Sequence, residues 1–245
     1  MKISNLLLCL LLIPSLSWAE ANLKSIVDHV DKLYRSQTSS TEVEMEIVNP
    51  NWERTLRMNI QTETMKNTFI DILYPNKEKG AGTLRKVSEM WNFFPKVGKV
   101  VKVPPSMMMS SWMGSDFNND DLVKETTLVD NYTGKFTTSS DPSLHTIELI
   151  PLKNTVTVWG KIILIVKKDN LMPVKEEYFD EKVQKIRTLY FSDYKNMGGR
   201  LIPAKLELIP EGKVNQKTII RYVKAQFDTK LPNDTFSLIN LQRKR

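Results

Sequence analysis

The segment TEVEMEIV at residues 41–48 decides the fold. Val43, Met45 and Ile47 alternate with Glu42, Glu44 and Glu46. Successive side chains of a strand point to opposite faces, so this segment has one apolar and one charged face. Strands of this kind build an antiparallel sheet with one dry and one wet side, whereas buried parallel strands read as continuous apolar runs. Across the turn Asn49-Pro50-Asn51, Trp52, Leu56, Met58 and Ile60 put a second strand on the same footing. Arg54 shares the face of Trp52 and Leu56, and Arg57 falls on the other face because its separation from Arg54 is odd.

Further along the chain the alternation recurs over residues 69–74 and stops at Pro75-Asn76. Residues 84–87 and 90–95 read as two more strands, the second carrying Trp91 and Phe93 on one face, and residues 96–99 turn the chain into residues 100–103. In the second half, residues 144–150, 156–167, 174–180, 186–194, 201–209 and 218–227 are rich in β-branched and aromatic side chains. The spacers between them are short and polar, as in a meander of neighbouring antiparallel strands. Gly160 is expected to mark a bend or bulge, and residues 236–241 are a candidate closing strand after Leu231-Pro232-Asn233. With no linker rich in Gly, Ser or Pro, residues 20–245 are expected to form a single, mainly β domain with a few helices.

The N-terminal end differs in character. Lys2, an apolar run from Leu6 to Ile13, the Pro14 break and the small-x-small ending Ser17-Trp18-Ala19 predict a secretory signal peptide over residues 1–19, cleaved before Glu20. The run is shorter than the roughly 20 residues of a spanning helix. Cys9 lies inside it behind Leu8, where a lipoprotein signal needs a small residue. Cleavage would remove the only cysteine, which excludes thiolate catalysis and disulfides from the exported chain, and would lower the net charge from +7 to +6. No later segment is apolar for long enough to span a bilayer, so a soluble exported protein is expected. Next, Leu23, Ile26, Val27, Val30, Leu33 and Tyr34 recur at the spacing of one helical face, predicting a helix over residues 22–35 with Asn22 as N-cap.

Between the two groups of strands lies SMMMSSWMGSDFNNDDLVKE at residues 106–125. Met107, Met108, Trp112, Met113 and Phe117 concentrate flexible and aromatic apolar side chains in a segment too short to be a core of its own, the composition of an apolar lid. Asp116, Asp120 and Asp121 follow no calcium-loop spacing, and capping of a short helix by Asn119 or Asp120 is the simpler account.

WMGSDFNNDDLVKE at residues 112–125, preceded by MWNFFPKVGKVVKVPPSMMMSS at residues 90–111, resembles the LolA-like outer-membrane lipoprotein-sorting proteins, in their uncharacterised branch. The resemblance implies a half-open antiparallel β-barrel of about eleven strands, covered by an N-terminal helix and short lid helices. Its concave apolar face would hold the acyl chains of lipids or lipoproteins in the periplasm. An inner-membrane transporter would supply the cargo and an outer-membrane acceptor would receive it. On this expectation Trp91, Phe93, Met107, Met108, Trp112, Met113 and Phe117 line the cavity or its lid. Arg54 either meets a headgroup, holds the lid closed, or sits at the sheet margin with its head in water. The family's arginine on the concave wall is assigned to no position here. A monomer without cofactor or metal is expected.

The lysines are dispersed among acids apart from Arg243-Lys244-Arg245, which argues for a solvated surface and against nucleic acid. Catalysis finds no motif: Gly-x-Ser-x-Gly, His-Glu-x-x-His and a glycine-rich phosphate loop are all missing, and His29 and His145 are isolated in the pattern. The expected function is therefore a carrier. An envelope sensor of the same fold is the alternative, and a lipid hydrolase without a visible site is third.

Overall fold

The computed structural model describes residues 15–64, 66–123, 127–155 and 157–243. Residues 1–14, with Cys9 and most of the predicted signal peptide, lie outside the described residues, as do Val156 and the Lys244-Arg245 terminus. Among the described residues, thirteen strands form one antiparallel sheet. The first six are β1 (Thr38–Asn49), β2 (Trp52–Glu63), β3 (Asn67–Tyr74), β4 (Gly82–Lys86), β5 (Glu89–Phe94) and β6 (Lys99–Lys102). The remainder are β7 (Tyr132–Thr137), β8 (Leu144–Pro151), β9 (Lys161–Lys167), β10 (Pro173–Phe179), β11 (Lys185–Met197), β12 (Arg200–Pro210) and β13 (Lys217–Phe227). Four helices accompany them: α1 (Ser15–Lys32), α2 (Asn119–Val123), α3 (Leu128–Asn131) and α4 (Leu238–Gln242).

The spatial order is β6-β5-β4-β3-β2-β1-β13-β12-β11-β10-β9-β8-β7. Every neighbour is also a sequence neighbour except β1 and β13, which join the two ends of the chain. The sheet does not close into a barrel, and its free edges are β6 and β7. Residues 103–131 carry the chain from one edge to the other and hold a 3-10 turn at Pro105–Met107 with α2 and α3. The apolar segment thus belongs to the crossing between the edges.

The alternation around Glu42 sets the register. Val43, Met45 and Ile47 lie opposite Met58, Leu56 and Arg54 on one side and Tyr222, Ile220 and Thr218 on the other. Val43, Met45, Ile47, Leu56 and Met58 are buried with Ile70, Ile72, Met90, Val103 and Trp112 in one cluster on this inner face. Further along the inner face, α1 buries Leu23, Ile26, Val27 and Val30 against Ile147, Leu149, Ile162 and Leu164. Burial of such side chains contributes about 1.5–3 kcal/mol each, which fixes the strand faces.

Several expectations are corrected. The strands number thirteen, against about eleven. Residues 236–241 form no closing strand: the Ser237 hydroxyl accepts from the Asn240 N–H at 3.0 Å and starts α4, whose Leu241 inserts into the outer cluster of Phe69, Leu84 and Phe93. Capping chemistry outweighs the alternation there. The strand expected from residue 156 begins only at Lys161, so Gly160 precedes β9. Among the described residues the helix covers Ser15–Lys32, which places Asn22 inside it and not at a cap. β7 was not anticipated because Gly134 interrupts it. A Cβ there would lie 2.9 Å from both Leu23 Cδ2 and Leu149 Cδ2, so glycine lets α1 settle onto this edge strand. Among the described residues no helix is long and apolar enough to cross a membrane.

Candidate functional site

Polar side chains fasten the crossing segment to the sheet at several places. Toward β2, Arg54 donates from Nη2 to the Met113 carbonyl and from Nη1 to Glu78 Oε1 at 3.3 Å, with its guanidinium 5.6 Å from the Trp52 ring centroid. Met113 and Gly114 both have positive φ, 52° and 77°, and this left-handed turn aims the Met113 carbonyl at the arginine. Toward β13, Asp116 accepts from the Thr218 hydroxyl at 2.8 Å and from Gln216 Nε2 at 2.6 Å. Toward β11, Asp121 accepts from Arg187 Nη1 at 2.8 Å and Nη2 at 2.6 Å.

Inside the segment, Asn118 Oδ1 accepts from the Asp121 N–H at 2.8 Å. The cap of α2 is thus one residue earlier than Asn119 or Asp120. Trp112 is buried, and its indole N–H donates to the Thr83 hydroxyl at 3.2 Å.

Three hollows lie along the inner face. A cleft of about 750 Å³ beneath residues 104–114 is lined by Trp52, Arg54, Ile72, Phe94, Met107 and Trp112, among others. An inner chamber of about 320 Å³ lies between Met45, Met58, Ile70 and Ile220 on the sheet and Trp112, Phe117 and Leu122 above. A third hollow of about 390 Å³ sits under α1, bounded by Leu33, Tyr34, Trp159, Glu176 and Phe191. Trp112 is common to the first two, and Asp121, Tyr178, Arg187 and Leu189 are common to the last two. These volumes fall in the range of about 300–1,000 Å³ usual for small-molecule sites.

The boundary between the last two hollows is polar and buried. Arg187 stacks over Trp159 at 4.5 Å and Tyr178 at 4.8 Å, and its Nε has no hydrogen-bond partner. Tyr178 donates its hydroxyl to Glu176 Oε2. Burial, reinforced by the Asp31 carboxylate, pushes the Glu176 carboxyl up to about 7 against the pull of the Tyr178 hydrogen bond and of Arg187. Burial likewise raises Asp31, although it accepts from the Val129 N–H at 2.9 Å and so ties α1 to α3.

The structure brings Arg54, Met107, Trp112 and Met113 together around the cleft, with Phe93 at its edge. Phe117 lines the inner chamber, and Met108 packs on the core beneath the segment. Met107 itself is half exposed. Trp91 is not brought to any of these hollows: it pairs with Leu84 and packs in the outer cluster under α4, because Trp91 and Phe93 face away from Met90 and Asn92. His29 and His145 are not brought into the site either; His145 leans on Phe136 at 5.1 Å. Arg187 and Glu176 were missed. Arg187 shares a period-two face with Leu189 and Phe191, so a cation on an apolar strand face was the available signal.

The sequence matches a family model described as "Uncharacterized protein" over residues 64–243. A comparison with curated protein sequences gives no match. Among solved structures the chain is similar to a DUF1329 family protein from Desulfovibrio piger, at TM-score 0.78 and 20% identity over 91% of this chain and 99% of that one. It is similar to a proposed outer membrane lipoprotein-sorting protein domain from Vibrio parahaemolyticus, at 0.75 and 18% over 90% and 98%. A LolA superfamily protein from Nitrosomonas europaea follows at 0.72 and 20% over 89% and 98%. The open β fold is the one shared with these three structures.

Proposed function

The chain belongs to the family of uncharacterized proteins whose model spans residues 64–243, and from that premise and its LolA-like fold we propose that it is an envelope carrier of acyl chains. The observation that carries this reading is the series of apolar hollows along the inner face, with Trp112 and the Arg187–Asp121 pair between them. A chain entering the cleft would pass Trp112 into the inner chamber. Each buried methylene gains about 0.8 kcal/mol, so roughly sixteen carbons gain on the order of 10 kcal/mol before the costs of ordering the chain and moving the lid.

Arg54 and Arg187 hold the lid by hydrogen bonds to its backbone and to Asp121, so opening trades these bonds for cargo contacts. The chemistry requires no cofactor and no reaction at the cargo. Its partners would be a membrane or transporter that donates lipid or lipoprotein and an acceptor at the outer membrane, and on this reading the protein would work in the periplasm after removal of residues 1–19.

Native mass spectrometry of the protein purified from an envelope extract tests the reading. A co-purifying lipid that moves to acceptor vesicles is the expected result. A protein that arrives empty and does not take up a fluorescent fatty acyl probe overturns it, and lipid held without release shifts the reading to an envelope sensor.

A further inference from the structure

The mouth of the cleft differs from the rest of the surface. Five of its lining residues, Trp52, Phe94, Val97, Val101 and Met107, are large apolar side chains that are 45–63% exposed. They come from the start of β2, the β5–β6 hairpin and the 3-10 turn, and meet at one rim. Clustered apolar side chains exposed around an opening mark an interaction site, unlike the same residues scattered singly.

The charge around this rim is mostly positive, with Glu53 beside Trp52 and the Arg54-paired Glu78 as its acids. Residues 94–115 contain Lys96, Lys99 and Lys102 and no aspartate or glutamate. Lys102 is paired with Glu89, whereas Lys96 and Lys99 are exposed with no ion pair among the described residues. Lys77, also exposed, lines the opposite side of the mouth, and exposed Lys79 follows it two residues on, past Glu78, which is engaged by Arg54. Over the chain as a whole acids and bases are mixed, and here the fold gathers lysines from two segments. β6 also forms one free edge of the sheet, so no neighbouring strand covers the hairpin.

We propose that this rim docks on an anionic phospholipid surface. Phe94, Val97, Val101 and Met107 enter the headgroup region, and Lys77, Lys79, Lys96 and Lys99 meet the phosphates. Interfacial binding of this type adds apolar burial to electrostatic attraction, and the attraction decays within about 8 Å at physiological salt. Docking in this orientation sets the mouth of the cleft against the bilayer. The attachment itself does not depend on what the inner chambers hold, so it stands or falls separately from the carrier reading.

Cosedimentation of the protein purified from the envelope tests it, using vesicles of phosphatidylcholine with and without one third phosphatidylglycerol. Binding to the anionic vesicles only, released by 0.5 M salt (roughly a 4–5 Å screening length), is expected. Lys96→Gln with Lys99→Gln lowers the partition coefficient about 25-fold, at about fivefold per lysine. Val97→Asp, at an exposed hairpin tip, lowers it further with an unchanged melting temperature. No binding, equal binding to uncharged vesicles, or binding unaltered in these variants overturns the proposal. Attachment that requires an envelope protein in place of lipid also overturns it.

Discussion

Arg187 holds Asp121 through both terminal guanidinium nitrogens, at 2.6 and 2.8 Å, and so joins α2 of the crossing segment to β11. Only about 10% of the arginine side chain and 15% of the aspartate side chain are exposed. Removing one partner leaves a buried charge uncompensated, at a cost of about 3–5 kcal/mol. Asp121→Ala and Arg187→Met are each expected to destabilise strongly in urea denaturation. The double variant Asp121→Leu with Arg187→Met regains much of that loss, because neither charge is left behind. A double variant no better than the singles would show that the pair contributes through the cation stacked on Trp159 and Tyr178.

Trp112 separates the cleft from the inner chamber and is only 4% exposed. Trp112→Ala is expected to cost about 3–5 kcal/mol by leaving a cavity, so its effect on ligand uptake cannot be read apart from stability. Trp112→Phe keeps most of the volume and loses the hydrogen bond to Thr83, a change of about 1 kcal/mol. Stopped-flow uptake of an acyl probe is expected to be faster in the phenylalanine variant. Unaltered kinetics would mean that cargo does not pass this ring.

Arg54 donates to the Met113 carbonyl, and about a quarter of its side chain is exposed. Arg54→Lys keeps the charge but cannot bond the carbonyl and Glu78 together in the same fork. The expected loss is roughly 1 kcal/mol after allowance for solvent screening. Hydrogen exchange at residues 110–115 should rise in this variant while β1 and β13 stay protected. Unchanged protection in that segment would remove Arg54 as a lid anchor.

Glu176 gives a pH dependence of defined sign. Burial raises its carboxyl from 4.5 to about 7 in the folded state, so the folded protein binds the proton more tightly than the unfolded chain. The stability from this group is fully present below about pH 4.5 and is lost as pH rises through about 7. Asp31 is shifted in the same direction by burial and adds to the slope in acid. Thermal melts of Glu176→Gln should show a flatter profile between pH 5 and 8 (about one unit around each end of the shift) and higher stability than the parent at the alkaline end. A parallel profile would place the titration elsewhere.

The strand pattern was legible because the inner face is buried and the outer face is mostly wet, so alternation survives best in β1, β8 and β9. It fails where burial is two-sided or a short helix intervenes. Phe69 and Ile70 in β3 are both buried, and α4 covers the outer face there, so Trp91 looked like a cavity residue from composition alone, whereas Phe93 reaches the edge of the cleft. The Met- and Trp-rich segment was legible as a cover through its side chains. Its fastenings were not, because Arg54 to Met113, Thr218 to Asp116 and Arg187 to Asp121 bring together residues distant in the chain. The cationic rim was hidden for the same reason, since Lys77 and Lys79 join Lys96 and Lys99 only through the fold.

Pairing of β1 with β13 has a kinetic consequence. Arg221 and its partner Glu46 are 175 residues apart in sequence, and contacts of such separation form late because loop closure must come first. Until the final strand emerges from synthesis, β1 presents a twelve-residue raw edge. A chain terminated before Lys217 would keep that edge and the one on β12 permanently open, and its predicted fate is aggregation by strand addition in place of a slightly less stable native state.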